Sequence, residues 1–194
     1  MPKVVAEYRA QARARILDAA STVFRREGFR AATMDDIARE IGVSKGALYL
    51  YFRTKSALLA ELQKRSRATV LQAWQELPEE GDLAAGIASS LDEVFSGTVD
   101  PGVWLELIGE SATDPELRLT LRRVEREDLR TMKEFLHHLE ERGRIRRVPE
   151  RDTVAEIILA LLRGTLLDVL VHGRGEESRH TLVRALRYLL PQKR

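Results

Sequence analysis

The sequence predicts an all-α protein, and two observations support that fold class. Gly and Pro residues separate stretches in which apolar side chains recur at helical spacing. No stretch alternates apolar and polar residues for long enough to indicate a sheet. The 194 residues include no cysteine, which excludes disulfide scaffolds, zinc fingers, iron–sulfur sites and cysteine nucleophiles. We therefore expect a helical protein that is long enough to bury a core.

Four helices are predicted in the N-terminal part. The first runs from about Glu7 to Glu27 and ends at Gly28, a residue suited to a left-handed cap. Thr33 begins the second helix, and Asp36, three residues later, completes a capping-box pattern. Apolar residues of this helix share one face: Met34, Ile37, Ala38 and Ile41.

The next two helices follow a break at Gly42-Val43. Ser44 is placed to cap a short third helix that reaches Phe52. Thr54 is placed to cap a long fourth helix from Lys55 toward Leu77. Two short helices joined by a turn and backed by an amphipathic helix form a helix-turn-helix unit, whose last helix enters a DNA major groove.

The C-terminal part continues as helices. Asp82 begins a helix to about Ser96, and Asp100-Pro101 and Asp114-Pro115 each pair an N-cap residue with proline at the first helical position. Predicted helices then span Asp114 to Arg142, Arg151 to His172 and Glu176 to Leu190.

The charge is unevenly distributed. Residues 1–55 carry 11 basic and 6 acidic side chains, a net charge of +5, and the rest of the chain carries 21 and 24, a net charge of −3. This bias favours an anionic partner at the N-terminal end. The start does not resemble a secretory signal, and the longest apolar run, Ile157 to Leu162, is far shorter than the roughly 20 residues of a membrane span. We expect a cytoplasmic protein without a membrane partner.

The N-terminal third contains a dense set of motif residues: Phe24, Gly28-Phe29, Thr33-Met34-Asp35-Asp36-Ile37-Ala38, and the continuous stretch from Ile41 to Leu58. This pattern resembles the DNA-binding domain of TetR-family transcriptional repressors. Ala47 and Tyr51 depart from the family pattern, which often has Thr and His there. The resemblance implies a homodimeric, all-helical repressor of about nine helices, with a DNA-binding domain at 1–54 and a ligand-binding and dimerisation domain at 55–194.

The resemblance also implies which residues contact DNA. Leu48 would pack inward, and Gly46 and Ala47 would meet base edges. The residues that would contact backbone phosphates are Thr33, Ser44, Lys45, Tyr49, Tyr51 and Lys55. The partners implied are a palindromic double-stranded operator and a small-molecule inducer.

The last two helices are predicted to form the dimer interface. The helix from Arg151 to His172 is apolar nearly all round, which requires cover on two sides. A second subunit can supply one of them, as an intersubunit four-helix bundle. The predicted interface residues are Ile158, Leu162, Leu166, Val169, Leu182, Val183, Leu186 and Leu189.

The middle helices are predicted to hold the inducer in an apolar pocket. The candidate lining residues are Trp74, Phe95, Trp104, Ile108, Met132, Phe135, Leu139 and Leu162. This composition favours a hydrophobic inducer, and Arg122, Arg123 and Arg126 also fit an anionic, acyl-CoA-like head group. Four charged residues stay open between structural ion pairs and ligand anchors: Glu106, Glu110, Arg163 and Asp168.

An alternative is a helical ligand- or metal-binding bundle with a degenerate DNA-binding motif. Glu134 with His137, and Glu177 with His180, have the Glu-x-x-His spacing of di-iron bundles. Spacing without convergent geometry is a weak signal. We therefore predict a DNA-binding regulator with no metal, no cofactor and no enzymatic activity.

Overall fold

The computed structural model describes residues 2–78, 80–89 and 101–192. The described residues form nine helices, which confirms the predicted all-α class. They are α1 (Pro2–Glu27), α2 (Met34–Ile41), α3 (Lys45–Tyr49), α4 (Lys55–Gln75), α5 (83–89), α6 (Pro101–Ser111), α7 (Pro115–Glu141), α8 (Arg151–His172) and α9 (Gly175–Leu189). The predicted cap at Asp100 and the predicted helix beyond residue 89 lie outside the described residues.

Local capping signals fix the N-terminal helices. The Asp36 backbone N–H donates to Thr33 Oγ1 at 3.2 Å, and the Thr33 backbone N–H donates to Asp36 Oδ2 at 3.0 Å. This is the predicted capping box of α2. Ser44 Oγ accepts from the Ala47 backbone N–H at 3.2 Å and caps α3. Thr54 Oγ1 accepts from the Ala57 backbone N–H at 3.1 Å and caps α4.

Two predicted helix ends are wrong. α1 begins at Pro2 rather than near Glu7. α3 ends at Tyr49 rather than Phe52, because the Leu48 carbonyl accepts from both the Tyr51 and the Phe52 backbone N–H in a tight turn.

The described chain divides into two units. The first comprises residues 1–66 and 97–122, so α6 and the start of α7 belong to it with the helix-turn-helix. Its core joins α1 residues such as Val23 and Phe24 to Ile37 of α2, Leu48 of α3 and Leu107 of α6. Burial of these side chains supplies the main stabilisation of the small helices, which are too short to be stable alone.

The second unit comprises residues 67–96 and 123–194. Its core includes Trp74, Ile87, Leu136, Ile158 and Leu186, which come from five different helices. An antiparallel bridge between Ile145 and Gln192 joins the turn before α8 to the end of the chain. No helix in the described part of the chain is long and apolar enough to span a membrane.

Candidate nucleic-acid interface

Helix α3 is anchored by one residue and exposes most of the others. Leu48 is fully buried in the core of the first unit, as predicted. Ser44, Lys45 and Gly46 are exposed, Ala47 is half-buried, and Tyr49 retains 39% of its accessible surface. The helix therefore presents hydroxyl, ammonium and phenol groups together with two small residues on its outer face.

Lys45 supplies a positive charge at the start of this helix. Its Nζ lies 2.7 Å from Asp35 Oδ1 of α2, and both side chains are more than half exposed. The hydrogen bond to Asp35 raises the pKa of Lys45, so the ammonium stays charged at neutral pH. Lys45 Nζ also lies 6.0 Å from the centre of the Tyr49 ring. Lys45 is the first residue of α3, so its positive charge adds to the positive end of the helix dipole.

Thr33 and Tyr51 are less available than the α3 residues. The Thr33 hydroxyl is engaged with the Asp36 carboxylate, and these hydrogen bonds lower the pKa of Asp36. Tyr51 is half-buried and packs against the core of the first unit.

Lys55 is bound within the fold. Its Nζ donates to the Phe29 carbonyl at 2.6 Å and to the Arg30 carbonyl at 3.1 Å. It also lies 4.8 Å from the centre of the Phe29 ring. Partial burial lowers the pKa of Lys55, and the carboxylates of Glu110 and Glu106 act in the opposite direction.

Glu106 has a role that the sequence pattern left open. Its carboxylate accepts from the Phe29 and Arg30 backbone N–H groups, each at 2.8 Å. It thus caps the turn that follows α1. The glycine before this turn leaves room for the carboxylate: Gly28 has φ +79°, and a Cβ there would lie 2.8 Å from Glu106 Oε2.

The predicted pocket residues fall into both units. Trp74, Met132, Phe135 and Leu139 are buried in the core of the second unit, and Leu162 packs against that core. The Trp74 and Phe135 rings are 4.6 Å apart. Trp104 and Ile108 belong to the first unit, and Phe95 lies outside the described residues.

The predicted dimer residues are mostly interior. Ile158, Leu166, Leu182 and Leu186 are buried within one chain, and their part in a dimer interface stays a prediction. Leu162, Val183 and Leu189 are partly buried against the same core, whereas Val169 is exposed.

A different face of α8 is open. We call it the α8 stripe, and all six of its residues are exposed: Thr153, Ile157, Ala160, Gly164, Leu167 and Val171. They recur at intervals of four and three, so they lie along one side of the helix. Ile157, Leu167 and Val171 expose 41%, 44% and 59% of their surface.

Three further charged candidates, Arg163, Asp168 and His137, form ion pairs or hydrogen bonds. Arg163 lies 3.2 Å from Glu125, and Asp168 accepts hydrogen bonds from Arg174 and Ser178. His137 lies 3.3 Å from Glu141. Residues 2–78, 80–89 and 101–192 contain no group of three His, Asp or Glu side chains that could hold a metal ion.

Two family profiles match the chain in sequence order. Residues 16–62 match bacterial regulatory proteins of the tetR family, which places the matched region over the helix-turn-helix. Residues 83–192 match the C-terminal region of BetI-type transcriptional repressors, which is more than half of the chain. The chain belongs to the TetR family. It is a transcriptional regulator with an N-terminal DNA-binding domain.

Relatives in this family extend the match to most of the chain. The HTH-type transcriptional regulator YfiR of Bacillus subtilis is 36% identical over 99 residues, which cover 51% of this chain and 48% of YfiR. SrpR of Pseudomonas putida is 37% identical over 97 residues, 50% of this chain and 46% of SrpR. The matched part therefore spans about half the length of these two TetR-family relatives. UidR of Escherichia coli is 25% identical over 171 residues, 86% of this chain and 85% of UidR.

Solved structures share the fold. A TetR-family regulator from Rhodococcus sp. superimposes with a TM-score of 0.76 at 23% identity, covering 93% of this chain and 99% of that one. A transcriptional regulator from Saccharomonospora viridis in complex with choline has a TM-score of 0.65 at 25% identity, covering 95% of this chain and all of that one.

Proposed function

We propose that this TetR-family protein is a homodimeric repressor that binds a palindromic operator and is released from it by a small, hydrophobic inducer. The observation that carries the proposal is the geometry of α3. Leu48 holds the helix in the core, and the opposite face offers hydrogen-bond donors to the outside. This division between an anchoring face and a reading face is what a major-groove helix requires.

The exposed α3 residues have the chemistry of DNA contacts. Ser44, Lys45 and Tyr49 donate to phosphate oxygens, and the α3 N-terminus adds a positive dipole. Gly46 and Ala47 meet base edges, because small side chains allow close approach of the helix to the duplex. Lys45 exchanges its Asp35 carboxylate for a phosphate oxygen, since both partners of the pair are exposed.

The α8 stripe supports the dimer. Ala160 and Gly164 are small residues in the middle of the stripe, and a Cβ built on Gly164 would meet no heavy atom of the described residues within 4 Å apart from its own helix backbone. Two copies of α8 can therefore approach closely at this point, with Ile157, Leu167 and Val171 packing on either side. Two subunits place two recognition helices on two half-sites about one DNA turn apart.

The second unit is proposed to bind the inducer. Trp74, Met132, Phe135 and Leu139 provide apolar and aromatic surface in this unit. The choline complex of the Saccharomonospora viridis regulator supports binding of a small molecule in this fold. Release requires that the inducer bind more tightly to the DNA-free form, with a coupling of about 1–3 kcal/mol.

Selection of duplexes from random-sequence DNA tests the proposal. The wild-type protein is expected to enrich one palindrome, and Tyr49→Ala is expected to bind it about tenfold more weakly because a phosphate hydrogen bond is lost. Tyr188→Ala is the matched control, since Tyr188 is 87% exposed on α9 of the second unit. Absence of an enriched palindrome, or equal binding by Tyr49→Ala and wild type, contradicts the proposal.

A further inference from the structure

Residues 29 and 30 are held by two side chains from distant helices. Glu106 of α6 accepts both of their backbone N–H groups, each at 2.8 Å. Lys55 of α4 donates to both of their carbonyl oxygens, at 2.6 and 3.1 Å. We call this arrangement, made of Glu106, Lys55 and the peptide groups of residues 29–30, the turn clasp. The two oppositely charged side chains together satisfy both backbone N–H groups and both carbonyl oxygens of residues 29–30.

The clasp lies at the joint between α1 and the helix-turn-helix. Phe29 is buried and packs on Phe24 of α1 with ring centres 5.1 Å apart, and Thr33 caps α2 three residues after Arg30. The chain between the clasp and α2 is only three residues long, and the last of them is the cap residue Thr33. A shift of the dipeptide therefore moves the start of α2, and α3 follows because the two are joined by the short Gly42-Val43-Ser44 turn.

Glu106 also lies close to the backbone of Gly28. Its backbone is left-handed, and a Cβ at this position would lie 2.8 Å from Glu106 Oε2 and 3.3 Å from Glu106 Oε1. The carboxylate thus occupies the space that any other residue type would need. This close approach fixes the direction from which Glu106 reaches the turn.

Charge-assisted hydrogen bonds of this kind are stronger than neutral ones, and partial burial strengthens them further. The Lys55 ammonium already has two oxygen acceptors and the face of the Phe29 ring. Its position is therefore determined inside the first unit, without DNA. This differs from Lys45, whose carboxylate partner is exposed and replaceable.

We propose that Glu106 and Lys55 are positioning residues for DNA binding, which act together through residues 29–30 to set the orientation of the helix-turn-helix, and that Lys55 is not a phosphate ligand. The inference rests on the proposed DNA-reading role of α3. Helix α6, which carries Glu106, would therefore take a direct part in holding the helix-turn-helix.

The first experiment requires no DNA. Backbone amide exchange of Phe29 and Arg30 is measured by NMR in the full-length wild type, in Glu106→Gln and in Glu116→Gln. Glu116 is an exposed carboxylate of the same unit, so its variant controls for the loss of one negative charge. Exchange at both amides is expected to accelerate about tenfold or more in Glu106→Gln alone. Unchanged exchange in Glu106→Gln overturns the clasp.

The second experiment measures affinity for a duplex that the wild type selects from random-sequence DNA, at several salt concentrations. Glu106→Gln and Lys55→Met are each expected to weaken binding about tenfold, and the double variant no more than either single one, because both act through one dipeptide. The slope of affinity against salt should stay at the wild-type value in both variants. Lys64→Met, at an exposed α4 lysine, is the control.

The outcomes separate the alternatives. A salt slope that falls by about one in Lys55→Met, with Glu106→Gln binding normally, identifies Lys55 as a phosphate ligand and overturns the inference. A lower unfolding midpoint with unchanged affinity shows a purely structural role and also overturns it.

If Glu106→Gln fails to fold, Glu106→Asp keeps the charge and is expected to give a smaller loss of affinity. If the wild type selects no duplex, the proposed function fails, while amide exchange still decides the clasp.

Discussion

The exposed faces of α3 and α8 differ in chemistry. The α3 face carries a hydroxyl, an ammonium, a phenol and two small residues, and its single large apolar residue, Leu48, points into the core. The α8 stripe carries aliphatic and small residues, and its polar member is Thr153. In the proposed dimer, burial of the apolar α8 stripe would release water favourably, whereas in the proposed DNA complex the α3 face would exchange water for phosphate oxygens.

The difference shows that exposure alone does not define a functional surface. Apolar area left open on a helix that already packs on its own core favours a protein partner. Donors grouped at a helix N-terminus favour an anion. Variants that change one region, each with a matched change elsewhere, can show whether the two regions act independently.

The largest effect is expected at the α8 stripe. Leu167→Glu places a charge in the proposed subunit interface, where burial costs roughly 3 kcal/mol and weakens dimerisation about 100-fold or more. Analytical ultracentrifugation should show monomers with unchanged helical content. Leu119→Glu makes the same change at an exposed leucine of the first unit and should leave the mass unchanged. A dimer that survives Leu167→Glu would refute the interface.

The next largest effect is expected at Gly28 of the first unit, compared with Gly173 of the second unit, because both glycines have a positive φ. Gly28→Ala should lower the free energy of unfolding by about 2 kcal/mol, because alanine is strained in the left-handed region and its Cβ displaces Glu106. Gly173→Ala, in the turn between α8 and α9, has the same backbone strain but no atom within 4 Å of the added Cβ. Urea unfolding should therefore show a smaller loss for Gly173→Ala, and equal losses would argue against the close contact with Glu106.

A smaller effect is expected for the α3 ammonium. Lys45→Ala should weaken binding to the selected duplex about tenfold and lower the salt slope by about one, because one phosphate contact is lost. Lys64→Ala removes an exposed lysine of α4 and should change neither quantity. Titrations at increasing salt concentration provide the measurement. An unchanged slope in Lys45→Ala would mean that Lys45 remains with Asp35 in the complex.

The smallest effect is the acid sensitivity of two hydrogen-bonded carboxylates, Asp36 in the first unit and Asp168 in the second. Hydrogen bonds from Thr33 lower the pKa of Asp36, and those from Ser178 and Arg174 lower the pKa of Asp168, in both cases from 3.8. A lowered folded-state pKa contributes stability above the unfolded value, which is lost as the pH falls through the folded value. Asp36→Asn and Asp168→Asn should therefore destabilise the protein at pH 7 and approach wild type at the lowest pH. Denaturation curves at several pH values test this, and a constant difference would be inconsistent with it.

Local signals made much of the helical pattern predictable. The capping box of Thr33 and Asp36 and the caps at Ser44 and Thr54 depend on residues three positions apart, so the sequence contains them directly. The bounds of α8 also agree with the prediction, because an apolar run ends at Gly173 in a left-handed cap. The early start of α1 was missed because its first turns have no apolar stripe from which to identify a helix.

The candidate sites were harder to predict than the helices, because they depend on contacts between residues that are far apart in the sequence. α8 is apolar on most of its surface, so periodicity could not separate Ile158, which is buried in its own chain, from Ile157, which is exposed. Glu106 meets amides 76 and 77 residues away in the sequence, and no spacing rule connects them. The predicted pocket set combined residues of two units because the sequence order of the middle helices does not reveal where the units divide.

The five-residue length of α3 has a consequence for how this protein changes specificity. Such a segment has no conformational stability of its own, and it keeps its shape because one leucine inserts into the interior. The positions that face outward contribute little to that insertion. Under the proposed role of α3, substitutions at Gly46 or Ala47 would therefore redirect the protein to new target sequences while the interior that supports them stays the same.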